Sequence, residues 1–98
     1  MISYSDTLER LGERARALRI IRQLQQVEVA ARAGIGVATV KRFERSGRAS
    51  MENALRIATV LAADPAFDAL FALPRYRTLD EALGRAEVTT RKRVRRRA

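Results

Sequence analysis

The chain has 98 residues, enough for one small domain, and no cysteine or histidine, which excludes disulfides, Cys/His zinc sites and an imidazole base. Its net charge is +9, with 47% hydrophobic and 32% charged residues, a balance that points to nucleic acid or another acidic surface without choosing between them. No apolar run approaches the roughly 18 residues of a membrane span, and Met1–Asp6 lacks a basic start followed by an apolar stretch, so no membrane contact and a cytoplasmic location are expected.

In chain order, Asp6 with Glu9 three residues on resembles a capping box and predicts a first helix from Ser5 or Asp6. Leu8, Leu11, Ala15, Leu18 and Ile21 recur along it at helical spacing, and the pattern fades near Gln23. A second helix is expected over 26–33, with Val29, Ala30 and Ala33 as a small apolar face. Gly34 suits its end, because glycine accepts positive φ at little cost, and Gly36 stands where the next helix needs an N-cap. A third helix over 37–46 ends at Ser46-Gly47. Ser50 is placed to cap a fourth over 51–62, with Met51, Leu55, Ala58 and Leu61 as its stripe. Asp64-Pro65 predicts a capping Asp with Pro at the first position of a fifth helix, 65–72, closed by Leu73-Pro74.

Beyond Pro74 the character changes. Thr78 with Glu81, and Leu79, Ala82 and Leu83 on one edge, predict a short sixth helix over 78–84 that needs a docking surface. Residues 85–98 hold seven Arg/Lys against Glu87, a net +6 that leaves +3 on the other 84 residues. The expected organisation is an all-α domain over 6–73, a short extension over 74–86 and a disordered basic tail over 87–98.

Two short helices joined by a tight glycine turn across 26–44 have the layout of a helix-turn-helix, whose second helix enters the DNA major groove. The stretches 11–19 (LGERARALR), 25–35 (QQVEVAARAGI), 38–45 (ATVKRFER) and 54–61 (ALRIATVL) resemble, in order and spacing, the phage-repressor-like, Cro/C1-type helix-turn-helix domain. The resemblance covers residues 11–71 and implies a compact five-helix bundle that binds double-stranded DNA. It also implies that Gln26 contacts a phosphate, that Arg19 and Glu44 form a buried pair, that Thr39 fills the family's small hydroxyl position, and that Val40 and Phe43 are core. Gln25 and Gly36 depart from the family's usual Ser, Thr or Asn caps, and Ser46-Gly47 replaces a Gly directly at 46.

With Val40 and Phe43 inward, Val37, Ala38, Lys41 and Arg42 face out. Arg42 would bind guanine O6 and N7, with Lys41 a weaker donor; Val37 and Ala38 would pack on thymine methyls. Val37 has a second reading as core, because it shares an arc with Val40 and Phe43. Arg45 and Arg48 read as phosphate clamps or as a solvated face. Gln26, at a helix start, reads as a phosphate donor or as an ordinary exposed glutamine. Phe67, Leu70, Phe71, Leu73, Tyr76, Leu79 and Leu83 form the largest apolar cluster of the C-terminal half, part of which would stay exposed on a monomer and mark a homodimer or partner surface. The basic tail would add phosphate contacts, bind RNA or serve solubility.

The leading function on this reading is a sequence-specific transcriptional regulator, a dimeric repressor blocking a promoter. The alternative is an antitoxin that binds its own operator and a toxin protein. A third class is a nonspecific RNA or chromatin binder acting through the tail alone. No catalytic constellation, metal site or cofactor is expected: the chain lacks His, Cys and a Gly-rich phosphate loop, and its Asp and Glu fit helix surfaces and caps.

Overall fold

The computed structural model describes residues 3–73, which fold into five helices and no strand. The helices are α1 (Tyr4–Ile21), α2 (Gln26–Ala33), α3 (Val37–Ser46), α4 (Met51–Val60) and α5 (Asp64–Asp68). The expected sixth helix, its Thr78–Glu81 cap, the extension and the tail lie outside the described residues.

The α1 cap is Ser3, not Asp6: Ser3 Oγ accepts from the Asp6 backbone N–H at 3.1 Å. Ser3 sits in extended conformation, so the helix begins at Tyr4 and Asp6 falls inside its first turn, where a carboxylate favours the positive end of the helix dipole. The helix ends where Gln23 turns to φ +58.

The next two helices match the expected bounds, 26–33 and 37–46. Gly34 closes α2 at φ +70 in the left-handed region, and three residues later α3 begins. This short turn keeps α2 and α3 in mutual contact, while α1 packs on α3 and α4 on α2. The core they enclose holds Ala15, Val29, Ala30, Val40, Phe43, Ile57 and Leu61.

Two interhelical approaches depend on the absence of a side chain. A Cβ on Gly12 would strike the carbonyl oxygens of Phe43 and Glu44, so this glycine lets α1 lie directly on α3. Gly47, at φ +73, would strike the Leu8 carbonyl with any side chain.

The C-terminal half departs further from the sequence expectation. Ser50 caps α4, accepting from the Asn53 N–H at 3.0 Å, but the helix stops at Val60 because Ala62 takes φ +59. Its buried residues are Ile57 and Ala58, followed by Leu61 just past the helix end, whereas Met51 and Leu55 are exposed. Ala58 and Leu61 of the expected stripe are buried, but Met51 and Leu55 are not, and Ile57 takes their place in the core: helical spacing fits more than one line of apolar residues, and contact with α2 selects the one through Ile57. Asp64 is the first residue of α5 and Ala63 holds the cap position without a side-chain bond. The cause is the turn at Ala62, which brings the Ala63 N–H onto the Ala58 carbonyl at 2.7 Å and delivers the chain straight into α5. The expected run to 72 stops at Asp68, giving way to turns and to Phe71 at φ +60. No residue of α5 is fully buried, so little packing offsets the cost of extending so short a helix.

Candidate nucleic-acid interface

One helix, α3, organises the candidate site, and its inner side explains how it is held. Glu44 is buried, with a side chain 5% exposed, and accepts three hydrogen bonds. Arg19 Nε donates to Oε2 at 2.6 Å, Arg19 Nη2 to Oε1 at 3.1 Å, and Gln26 Nε2 to Oε1 at 3.0 Å. Arg19 Nη1 donates to the Leu24 carbonyl at 2.9 Å. The guanidinium thus forks onto the carboxylate, the geometry in which a charge pair is strongest, and one carboxylate ties α1 and α2 to α3. Val40 and Phe43 are buried beside it.

Both ends of α3 are fixed by different means. Gly36 caps the start in extended backbone with no side-chain bond. At the other end Ser46 Oγ donates to the Arg42 carbonyl at 2.8 Å and accepts from the Arg48 N–H at 3.3 Å. The α2 start carries a capping-box bond: Glu28 Oε1 accepts from the Gln25 N–H at 2.9 Å.

The outer side of α3 carries the candidate contacts. Ala38, Lys41, Arg42 and Arg45 are exposed and Thr39 is half-buried. Val37 is half-buried and packs against the core, which limits what it presents to a ligand. Among the described residues the side chains of Lys41, Arg42 and Arg45 have no hydrogen-bond or ion-pair partner. Arg48 Nη2 reaches Ser5 Oγ at 3.4 Å, the outer limit of a hydrogen bond. The only acid between 41 and 48 is Glu44, and it faces inward against Arg19. Four positive charges therefore project from α3 and its exit with no carboxylate among them, a stronger field than the sequence count implies.

Gln26 is drawn into this arrangement. Its side chain is not simply exposed, since its amide nitrogen faces Glu44. A primary amide has two N–H hydrogens, so one remains for an outside acceptor, and Glu44 fixes which end of the amide is the donor.

Three contributors carry weaker sequence signals. Gly12 is a glycine inside a helix, a pattern that often marks close packing. Ser46 stands before a helix-ending glycine. Arg56 Nη1 donates to the Ala33 carbonyl at 3.1 Å, satisfying the end of α2 from α4; across 23 residues no local pattern announces that bond.

A second surface lies at the α4–α5 end. Met51, Leu55, Thr59, Pro65, Phe67, Leu70 and Phe71 line an open groove together with Asp64 and Asp68. Phe67 is half-buried, Leu70 exposed, and Phe71 93% exposed. Tyr76, Leu79 and Leu83, expected on the same surface, lie outside the described residues. Among the described residues no acidic cluster has the makings of a metal site and no helix is long and apolar enough to cross a membrane.

Comparison with known proteins places this geometry in context. A family model described as helix-turn-helix matches residues 16–67, just over half of the chain and spanning α2, the turn and α3. No curated protein matches the chain.

Proposed function

The chain belongs to the Cro/C1-type helix-turn-helix family of DNA-binding transcription regulators, and from that membership we propose that it is a dimeric repressor recognising its operator through the outer face of α3. The observation that carries this reading is the division of α3. Glu44 is neutralised inside, while Lys41, Arg42 and Arg45 project outside with no acid among them. Phosphate contacts by Lys41, Arg45, Arg48 and the second amide hydrogen of Gln26 would set the register, and side chains of the first turns would meet base edges. Gly36 has nothing within 4 Å of where a side chain would stand, leaving room for a close approach of the duplex.

The α4–α5 groove supports dimerisation. Met51, Leu55, Leu70 and Phe71 are exposed there, and a second copy would cover them. A two-fold pair of α3 helices requires half-sites one helical turn apart, about 34 Å. No effector domain is needed for this mechanism, since a dimer sitting on a promoter blocks polymerase sterically.

The test is binding to duplexes from the promoter of its own gene and to scrambled duplexes over a range of salt, with sedimentation of the free protein alongside. The reading expects promoter preference, a dimer, and two protected patches one turn apart in a footprint. Equal binding to both duplexes would sink it. A monomer that co-purifies with the product of a neighbouring gene would move the assignment to the antitoxin reading.

A further inference from the structure

We propose that the outer face of α3 selects a half-site containing a thymine and a guanine within about two base pairs of each other, Ala38 packing on the thymine methyl and Arg42 forking onto the guanine. This rests on the reading of α3 as the DNA-contacting helix and adds which bases it selects.

The first turn of α3 exposes little that can hydrogen-bond. Gly36 has no side chain, Val37 is half-buried against the core, and Thr39 is half-buried. Ala38 alone projects fully, and it offers only a methyl. In the major groove thymine alone presents an apolar group, its C5-methyl; every other base edge shows donors or acceptors there. A methyl pressed against those edges would strip them of water without replacing the hydrogen bonds, which costs binding. Ala38 thus favours thymine by contact and disfavours the rest by desolvation.

Arg42 stands four residues later, on the same line of the helix. Four residues advance the axis by about 6 Å, slightly less than two base-pair rises of about 3.4 Å. Its guanidinium has no partner among the described residues, and the hydrogen bond from Ser46 Oγ to its backbone carbonyl, 2.8 Å, steadies the turn that carries it. A planar fork with paired donors matches guanine O6 and N7. Lys41 and Arg45 flank this line, and as exposed cations they serve the phosphates on either side.

The experiment selects preferred duplexes for the full chain from a random pool, then alters single atoms in the selected site. Deoxyuridine for thymidine removes only the C5-methyl, and 7-deazaguanine for guanine removes only N7. A buried methyl accounts for about a fourfold change in affinity, and a bidentate base contact for roughly 5- to 150-fold. The expected result is one thymine per half-site sensitive to methyl removal and one guanine sensitive to N7 removal, no more than two base pairs apart. Ala38→Gln, an exposed substitution that should leave the fold intact, is expected to abolish the methyl sensitivity and shift preference at that position towards adenine. A preferred sequence indifferent to both replacements, or an Ala38→Gln protein that still demands thymine, would overturn this inference while leaving the regulator reading standing. Failure of the pool to yield any preferred sequence would overturn both.

Discussion

The two faces of α3 differ in where their polar atoms go. On the inner face Glu44 accepts from Arg19 and Gln26, Arg19 also reaches the Leu24 carbonyl, and Val40 and Phe43 fill the space around them. On the outer face Lys41, Arg42 and Arg45 hold their charges in water. The inner network fixes the helix without help from the outer residues. On the proposed reading, outer-face residues can therefore change with little effect on stability, and a change at Arg19 or Glu44 reaches DNA only by disturbing the helix or Gln26. The contrast then separates, on the same reading, substitutions that unfold the protein from those that leave it folded but weaken its DNA binding.

The largest effect should come from Glu44→Ala. It strands a guanidinium that is only 13% exposed and should lower unfolding free energy by about 3–5 kcal/mol. For a domain whose total is about 5–15 kcal/mol, denaturant titration should show a large loss; an unchanged midpoint would erase the distinction between the faces. Gly12→Ala comes next, at about 1–3 kcal/mol, because its Cβ must push α1 away from backbone oxygens of α3. Thermal melting reads this directly, and a stable Gly12→Ala protein would mean the helices can separate without loss.

Arg42→Ala sharpens the contrast from the other side. Stability should stay within about 0.5 kcal/mol of the parent, while binding to the preferred site weakens by about 1–3 kcal/mol and preference relaxes at one base position. Equal losses across all sequences would make Arg42 a phosphate contact instead. The smallest effect is Ser50→Ala, which removes the α4 cap and should cost about 1 kcal/mol of stability with intact promoter preference; a loss of preference would show that α4 sets the posture of α3.

How far sequence alone reached follows the same division. The bounds of α2 and α3 are written locally: Gly34 and Gly47 mark ends that need positive φ, and the apolar residues between them keep helical spacing. The α1 cap is one signal overridden by a nearer one, since Ser3 caps the helix before Asp6 has the chance. The α4 stripe and the length of α5 depend on what each helix packs against, and Ile57 became core through α2, which ends as far back as Ala33. The inward turn of Glu44, which clears the outer face of acid, has the same origin. Local spacing places Glu44 among the bases of α3, whereas its partners sit 25 and 18 residues back. Chemistry that depends on a local turn was legible from the residues themselves; the distant Arg19–Glu44 pair was carried only by the family resemblance, and the Gln26 and Arg56 bonds by neither.

The central claim is that the outer face of α3 binds DNA by sequence. The most direct test compares the full chain with its Lys41→Ala/Arg42→Ala variant, on promoter and scrambled duplexes at several salt concentrations. The parent should prefer the promoter. The variant should fold as before, lose that preference, and show a salt slope shallower by about 1 for each phosphate contact removed. A folded variant that keeps both the preference and the slope would contradict the claim and move recognition away from α3.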